Sequence, residues 1–519
     1  MFAALVALAV AAALYLYGTR TFGYWRKRGV KHDPPVPFLG NNTRGYLIRK
    51  SVSQMAEEAY WKYPNERVVG FFRSTRPELV IRDPEIVKRI LLTDFGHFYP
   101  RGLNPHKTVI EPLLRNLFFA DGDLWRLLRQ RMTPAFTSGK LRAMFPLIVE
   151  RAERLQTRTL AAAAAGAPID ARDLMARYTT DFIGACGFGL DADSLNDEDS
   201  AFRKLGAEIF TFNFRDIVVA ILKEIFPEAF KNFRYLTRLE GRMTELVTDI
   251  LKLRKYEPTL RNDFIDQLLE CKKKGKMMAE SLERFKPDGT PELVSMELTD
   301  ELIVAQVFVF FAAGFETSSS ATSYTLHQLA HHPDVQRRVQ HEIDDVLARH
   351  GGRLTYDAIK EMTYLECAFK EGVRMFPSLG YLIRECARAY TLPELGLALD
   401  EGVGIFIPLQ ALHNDPKYFP DPAEFRPERF QADRPDPATK YVYLPFGDGP
   451  RACIGARLGL MQSLAGLAAV LARSSVAPAP HAPRTPRVDP KSDIVQTIQG
   501  GRKRRYLLKV NSIQRALLT

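Results

Sequence analysis

A single cysteine in a glycine-rich stretch, FGDGPRACIG at residues 446–455, carries the strongest chemical signal in the chain. Gly447 and Gly449 allow the backbone to turn tightly and to approach a flat ligand, and Arg451 offers a fork for a carboxylate. Cys453 comes directly before a helical run, whose N–H groups and positive end favour a thiolate and a lowered thiol pKa. A lone cysteine is more often a small buried residue, but five residue types at fixed offsets favour a thiolate ligand here.

This stretch resembles the haem-binding loop of the cytochrome P450 superfamily, Phe-x-x-Gly-x-Arg-x-Cys-x-Gly. The pattern is matched at every defined position: Phe446, Gly449, Arg451, Cys453 and Gly455. The resemblance implies haem b, iron protoporphyrin IX, as the cofactor and Cys453 as the ligand of its iron. It also implies that the loop residues, Gly447 included, contact the cofactor, and that further family motifs occur upstream.

The stretch 313–318, AGFETS, resembles the oxygen-activation motif of the family. The resemblance implies catalytic roles for four of its residues: Ala313, Gly314, Glu316 and Thr317. Gly314 would leave room for dioxygen, Thr317 would donate a hydrogen bond that helps to deliver protons, and Glu316 would relay protons from solvent. A threonine in a helix usually bonds back to its own backbone. The motif therefore indicates oxygen activation only because the cysteine loop is also present in the chain.

Glu371 and Arg374 stand three residues apart, so they share one face of a predicted helix. Such a pair is a weak signal alone, since another occurs at 385–388 and most are exposed. In the family that the chain resembles, the pair forms a structural network with an arginine from an aromatic-Pro-Glu-Arg-Phe stretch. The matching stretch here is FRPERF at 425–430, which implies Arg429 as the third member.

Trp125 and Arg129 are four residues apart, which places two donors on the same helix face. They resemble the Trp-x-x-x-Arg helix that holds a haem propionate in the family. The resemblance implies further propionate contacts from Arg384 and Arg451, with Arg101 as an additional candidate. Several cationic donors suit two propionate anions, although a single arginine usually lies at the surface.

The composition is that of a large globular protein. The chain has 519 residues, of which 46% are apolar, and 72 Lys and Arg against 61 Asp and Glu give a net charge of +11. These values exclude fibrous and disordered classes. Five scattered cysteines are too few for a disulfide framework and indicate a reducing compartment. Four of them are expected to be structural: Cys186, Cys271, Cys367 and Cys386. Without a nucleic-acid motif, the positive charge predicts no nucleic-acid partner.

The N-terminus has the features of a membrane anchor. Residues 1–17 carry no charged side chain, and extension to Trp25 gives a helix long enough to cross a membrane. The positive residues follow this run, which by the positive-inside rule puts the downstream chain in the cytosol. A cleaved signal peptide is the alternative, with Ala-Val-Ala at 9–11, but its positive first segment is missing. A second membrane contact is predicted at 210–222, including Phe212 and Phe214, with core helix as the equal alternative.

These signals divide the chain into three parts: an anchor at 1–25, a basic and proline-rich hinge at 26–40 and a haem-thiolate catalytic domain at 41–519. Prolines in the hinge favour a stiff, extended connection. The resemblance to microsomal members implies the endoplasmic reticulum membrane as the location, with the catalytic domain facing the cytosol and membrane lipid as a partner.

The elements that must position these residues are mainly helical. The clearest helix begins near Thr299 and ends before Pro333, and its apolar middle predicts burial at the centre of the molecule. Lys272–Lys276 is predicted as a solvated loop. Strand candidates are few and short: 67–72, 78–81, 381–384, 404–408 and 506–510. The sequence therefore predicts a mainly α fold with small β-sheets, and the resemblance, which covers 30–510, implies the cytochrome P450 fold with an N-terminal transmembrane helix.

The stretches 94–102 and 133–141 look most like insect microsomal members of the xenobiotic-metabolising group. The resemblance implies a monooxygenase that inserts one oxygen atom from dioxygen into a lipophilic xenobiotic or endogenous lipid. Electrons would come from NADPH through a separate NADPH–cytochrome P450 reductase, since no dinucleotide-binding glycine fingerprint adjoins the domain. Cytochrome b5 is a further implied partner. Basic residues on the thiolate side would receive an acidic partner: Arg126, Lys140 and Arg142.

Two alternatives remain open at this point. One is a haem-thiolate isomerase or dehydratase that needs no reductase, against which Thr317 beside Glu316 argues. The other is a non-enzymatic, membrane-tethered basic binding protein. The predicted walls of a lipophilic pocket suit a plant toxin, an insecticide or a lipid equally well: Phe118, Phe119, Val309, Ala312, Leu379, Gly380 and Leu382.

Overall fold

The computed structural model describes residues 1–197, 199–211, 213–431, 439–480, 482–485, 487–492, 494–498 and 507–513. As predicted, the fold is mainly helical with small sheets. The helices are α1 Phe2–Thr19, α2 Tyr24–Lys27, α3 Thr43–Tyr46, α4 Val52–Lys62, α5 Pro84–Lys88, α6 Gly122–Met132, α7 Ser138–Ala164, α8 Ala171–Ile183, α9 Ala201–Ile209, α10 Phe214–Ile225, α11 Pro227–Phe230, α12 Thr237–Leu253, α13 Phe264–Lys273, α14 Asp300–His331, α15 Pro333–Arg349, α16 Tyr356–Glu361, α17 Thr363–Met375, α18 Leu409–His413 and α19 Ala456–Arg473.

The strands are β1 Val68–Arg73, β2 Arg76–Ile81, β3 Ile169–Asp170, β4 Met277–Phe285, β5 Pro291–Met296, β6 Leu382–Glu385, β7 Tyr390–Leu392, β8 Leu397–Leu399, β9 Gly404–Ile407, β10 Ser474–Pro478 and β11 Leu507–Ser512. They form a four-stranded sheet in the order β1-β2-β9-β6, a three-stranded sheet β10-β11-β3, and the two hairpins β4-β5 and β7-β8. Strands β2 and β9 pair in parallel, whereas the other pairs are antiparallel.

Helix α14 is the central element of the fold. Thr299 caps it by accepting a hydrogen bond from the Leu302 amide, and Pro333 begins the next helix. Most of its residues are buried, as the apolar pattern predicts. Helix α8 crosses it closely: a Cβ at Gly314 would overlap the Ile183 side chain. Glycine at this position is therefore needed for helix packing.

The hairpin β4-β5 is an element that the sequence analysis missed. Alternate residues of β4 are buried, namely Met277, Ala279 and Ser281, while the intervening side chains are exposed or half-buried. Gly289 makes the turn with a φ of +82°. The predicted lysine-rich loop is correspondingly short, because α13 continues to Lys273 and β4 begins at Met277. The other strand predictions fall on β1, β2, β6, β9 and β11, although Tyr506 lies outside the described residues.

The end of the N-terminal helix is docked on the folded domain. Gly18 is buried against the Phe38 ring, which a Cβ there would approach to 2.8 Å, and the Tyr17 ring stacks on Phe226 at 5.9 Å. Trp25 is fully buried and donates to the carbonyl of Phe71 at 3.0 Å. The predicted end of the membrane anchor is residue 25. In the structure, Trp25 belongs to the core of the folded domain.

The predicted hinge at 26–40 lies along β1. His32 pairs with Gly70, and Gly40 pairs with Arg73 in isolated bridges. These backbone bridges dock the segment on β1.

Candidate active site

The cysteine loop is shaped by its glycines. Gly447 and Gly449 have φ values of +68° and +72°, which favour glycine, and a Cβ at Gly449 would overlap the carbonyl of Leu91. The amide of Cys453 donates to the carbonyl of Phe446 at 2.8 Å and closes the loop. All five cysteines lie in the described part of the chain, and Cys453 alone is exposed. The loop therefore presents one accessible sulfur.

Burial raises the pKa of the Cys453 thiol, although the backbone N–H of Gly455 and the charges of Arg129 and Arg101 act in the opposite direction. The pKa of the Cys453 thiol is therefore raised overall, whereas the sequence predicted a lowered pKa. Cys453 is solvent-accessible, yet the protein around its sulfur desolvates the thiol enough to raise its pKa. A thiol in such a place is stabilised as a thiolate by direct bonding to a metal cation.

Buried guanidinium groups lie near this sulfur. Burial lowers the pKa of Arg101 to about 10 and that of Arg384 to about 9, with the neighbouring positive charge acting in the same direction on Arg384. The pKa of Arg451 is also lowered, mainly by burial. Crowded cations without enough anions are costly in a protein interior. The cluster therefore suits a ligand with negative charges.

Arg384 has the largest unmet hydrogen-bonding capacity of the cluster. Its side chain is 2% exposed, and its Nε has no hydrogen-bond partner among the described residues. Its Nη1 donates only to the carbonyl of the adjacent Ile383, at 2.7 Å. A buried donor without an acceptor is unfavourable, so a carboxylate such as a haem propionate fits this side chain. The residues present thus fit a haem.

Arg451 is, in contrast, fully occupied by protein groups. It donates to the carbonyls of Tyr99 and Ala120 at 2.7 and 3.0 Å and pairs with Asp121 at 2.8 Å. Its guanidinium lies 4.3 Å from the centroid of the Trp125 ring. These contacts tie the cysteine loop to the start of α6.

Arg129 and Arg101 also bond to the loop. Arg129 donates to the carbonyl of Ala452 at 2.8 Å, and Arg101 donates to the carbonyls of Phe118 and Arg451. Asp121, which the sequence analysis missed, accepts from the amide of Arg101 at 2.7 Å in addition to pairing with Arg451. Its position just before α6 was the available signal, since an acid there is a common helix cap.

The oxygen-activation motif lies in the middle of α14. Ala313 is exposed and Thr317 is half-buried, one turn apart. The Thr317 hydroxyl donates to the Ala313 carbonyl at 2.6 Å, and its oxygen keeps the capacity to accept. The Cβ direction of Gly314 points to Ile183 of α8, so this glycine serves helix packing in addition to any role at the candidate site.

Glu316 is buried and forms an ion pair with Arg172 of α8. Arg172 also donates to the carbonyl of Ile498, and its side chain is 30% exposed. The partly exposed guanidinium of Arg172 is therefore the immediate neighbour of the buried Glu316 carboxylate.

The predicted pocket residues do not all share one environment. Leu382 lies beside the cysteine loop, 3.9 Å from where a Cβ of Gly447 would be. The rings of Phe118 and Phe119 pack edge to face at 5.2 Å. Val309 is buried, and Ala312 and Leu379 are half-buried. Gly380 packs tightly against Ser53 and Gln496, so its Cβ direction faces the protein interior.

The predicted charge network is present, with Glu371 and Arg374 fully buried and the Arg429 side chain 12% exposed. Glu371 receives two bonds from Arg374, at 2.7 and 2.9 Å, and one from Arg429 at 3.2 Å. Arg374 also donates to the carbonyls of His413 and Pro422. The second Glu-x-x-Arg pair is not joined: Glu385 pairs with Arg76. Together with the accessible Cys453 and the cationic cluster, this architecture is that of a haem-thiolate protein.

Comparison with known proteins identifies the family. The cytochrome P450 family model matches residues 31–502, and the chain belongs to this family. Its cofactor is a haem, and it is a P450 monooxygenase. The non-enzymatic alternative is therefore wrong.

Several relatives of this chain come from insects, in agreement with the predicted resemblance. Cytochrome P450 6B6 of Helicoverpa armigera is 36% identical over 515 residues, covering 98% of this chain and 97% of that protein. Cytochrome P450 6a2 of Drosophila melanogaster is 36% identical over 504 residues, with coverages of 94% and 95%. Cytochrome P450 6B1 of Papilio polyxenes is 35% identical over 477 residues, with coverages of 90% and 92%.

Proposed function

We propose that this P450 monooxygenase oxidises a lipophilic small molecule, a xenobiotic or an endogenous lipid, with electrons from NADPH supplied by NADPH–cytochrome P450 reductase and cytochrome b5 as a further electron donor. The observation that carries the proposal is the exposed Cys453 on a glycine-shaped loop, with the apolar side chain of Leu382 beside that loop. Apolar walls bind lipophilic ligands by removing their surface from water.

Each residue of the site has a defined task in this proposal. Cys453 binds the iron through its thiolate and donates electron density to it. Arg384, Arg129 and Trp125 hold the propionates. Thr317 accepts or donates a hydrogen bond where protons are needed, and Glu316, held in place by Arg172, relays protons from solvent. The haem, when bound, supplies the binding and reductive activation of dioxygen.

The alternative isomerase or dehydratase would need neither NADPH nor dioxygen. The decisive experiment expresses the full chain with a reductase and screens lipophilic ligands for a change in haem spin state. Ligands that shift the spectrum are then incubated with and without NADPH and dioxygen. We expect hydroxylated product only when both are present. Conversion of an oxygenated substrate without NADPH would support the isomerase instead.

Thr317→Ala is expected to retain haem and ligand binding but to lower the product formed per NADPH consumed several-fold. Loss of the hydroxyl removes a proton donor at the site, so reducing equivalents leave as hydrogen peroxide. The measurement is the ratio of product and of peroxide to NADPH.

Thr322→Ala is the matched control, because Thr322 makes the same bond back to α14, to Ser318 at 2.7 Å, but is fully buried. It should leave the ratio unchanged. An undiminished ratio in Thr317→Ala would mean that Thr317 is only a helix residue.

The proposed redox surface carries charges that are already paired. Arg126 pairs with Glu280, Lys140 with Glu270 and Arg142 with Asp357. These pairs are partly or largely exposed and are weak. The carboxylates of an acidic partner would therefore replace the carboxylates of this chain as the contacts of these basic side chains.

Two described helices, α1 and α14, are long and apolar enough to cross a membrane, and α14 is mostly buried in the core. We propose that α1 anchors the protein in the endoplasmic reticulum membrane with the catalytic domain in the cytosol, because the basic residues follow the helix. The second predicted contact includes Phe214 at the start of α10, which is 83% exposed. Phe212 lies outside the described residues.

Removal of Met1–Thr19 is expected to lower the membrane-bound fraction and to preserve the haem spectrum. The proposed haem contacts all lie beyond residue 100, and the buried Trp25 remains in place. The measurement is the fraction that sediments with vesicles after high-salt washing.

The same truncation with Phe214→Asp should reduce the residual binding further. Leu260→Asp, at a residue that is 99% exposed, is the matched control. If the truncated protein and its Phe214→Asp variant partition alike, the second contact is wrong.

A further inference from the structure

We propose that the hairpin β4-β5 is a clamp that fixes α6 and the end of β6 to each other, and that Ser281 is its positioning residue for haem retention. The proposal rests on the assignment of Arg129 and Arg384 to the haem, because α6 carries Arg129 and β6 carries Arg384. The hairpin bonds directly to α6 and to Arg388, which follows β6 by three residues.

The contact with the first turn of α6 passes through Asp123. Its carboxylate accepts from the Ser281 hydroxyl at 2.7 Å and from the Leu282 amide at 2.7 Å. Asp123 precedes Trp125 by two residues, which is about 200° around a helix. A bond at Asp123 therefore opposes rotation of the face that carries Trp125 and Arg129.

The remainder of α6 is held by the same region. Arg126 pairs with Glu280 of β4 at 3.2 Å. Arg131, in the last turn, donates to the carbonyls of Gly275 and Lys276, which lead into β4. A helix as short as α6 is marginal in isolation, so its position depends on such packing. Contacts in its first and last turns fix it along its length.

The contact with the strand side passes through Arg388, three residues after β6. Its Nη2 donates to the carbonyl of Leu282 at 2.6 Å, and its guanidinium lies 4.6 Å from the centroid of the Phe285 ring. Leu282 thus bonds to Asp123 of α6 through its amide and to Arg388 through its carbonyl. One residue of the hairpin therefore bonds both to α6, which carries Arg129, and to the segment that follows β6, the strand that carries Arg384.

Ser281 sets the shape of the hairpin at this point. The strand register shifts between Glu280 and Phe285, and the Ser281 oxygen accepts from the amides of Glu283 and Arg284 at 3.0 and 2.8 Å. The side chain is 1% exposed. An alanine there would remove the acceptor of these two amides and one of the two donors to Asp123, while the Leu282 amide would still donate to Asp123.

The test compares Ser281→Ala with Ser295→Ala in the full-length holoprotein. Ser295 is exposed on the partner strand opposite Met278, so it provides the same substitution in the same hairpin. We expect Ser281→Ala to speed the loss of ferric haem to excess apomyoglobin by about threefold to tenfold, since one buried hydrogen bond is worth that factor. Hydrogen exchange should rise in α6, and Ser295→Ala should match the wild type in both measurements.

Two further variants separate the possible failures. Arg388→Gln is a milder change on the strand side, and it replaces Ser281→Ala in the test if that variant yields too little folded protein. We expect Arg388→Gln to speed haem loss as well. The clamp is overturned if these variants equal Ser295→Ala in haem loss and α6 exchange. Arg129→Gln tests the haem assignment itself: if it leaves haem loss unchanged, that assignment is wrong, whatever the hairpin variants do.

Discussion

Cys453→Ser is expected to abolish the thiolate band of the ferrous carbon-monoxide complex and with it the monooxygenase activity. A serine hydroxyl is neutral near pH 7 and cannot reproduce the electron donation of a thiolate. The surrounding loop should persist, because its geometry comes from Gly447, Gly449 and the bond between the Cys453 amide and Phe446, none of which needs the sulfur. The measurement is the difference spectrum of the reduced, carbon-monoxide-bound protein.

Cys386→Ser is the matched control for this substitution. Cys386 is fully buried and its thiol donates to the carbonyl of Arg388 at 2.9 Å, a bond that a serine hydroxyl also makes. The thiolate band should therefore remain. A thiolate band that survives in Cys453→Ser would show that another cysteine binds the iron and would overturn the ligand assignment.

The sequence could predict the features of this site that depend on residues close together in the chain. The glycine turn that presents Cys453 is specified within ten residues, and the shared face of Glu371 and Arg374 follows from helical spacing. The central helix α14 was evident from its cap and its apolar middle. Local rules set all of these features.

What the sequence could not predict depends on residues that are distant in the chain. The partner of Glu316 is Arg172, 144 positions away, and no local pattern joins them. Gly314 faces Ile183 only because α8 crosses α14 there. The rise in the Cys453 pKa likewise reflects burial by the whole fold, whereas the sequence showed only the helix that follows. Such contacts follow from tertiary packing.

The hairpin β4-β5 was missed for a different reason. Its inner positions include the small or polar Ala279 and Ser281, and its outer face carries charges such as Glu280. Buried and exposed positions alternate along β4, but apolar and polar residue types do not alternate as clearly. The sequence signal for a strand is therefore weak. The Asp288-Gly289 turn signal was present but needed flanking strands to be meaningful.

Glu371→Gln is expected to lower the free energy of unfolding by about 3–5 kcal/mol, the usual cost of breaking a buried ion pair by removing one partner. Glu371 and Arg374 are both fully buried, and Glu371 also accepts from Arg429 and from the amide of Arg426 at 3.0 Å. A glutamine replaces one acceptor oxygen by a donor NH2 and leaves two guanidinium groups without a counter-charge. Since whole domains are stable by only about 5–15 kcal/mol, we expect little folded, haem-containing protein.

Glu366→Gln on the same helix is the control that separates burial from charge. Glu366 pairs with Lys370 at 2.7 Å, and both side chains are about one third exposed, at 30% and 37%. The same chemical change there should cost no more than about 0.5 kcal/mol, because exposed pairs four residues apart are weak. Urea unfolding of both variants, with the yield of haem-containing protein as a second measurement, provides the comparison. Equal losses in the two variants would show that α17 tolerates the missing buried charge and that the Glu371 network does not stabilise the fold.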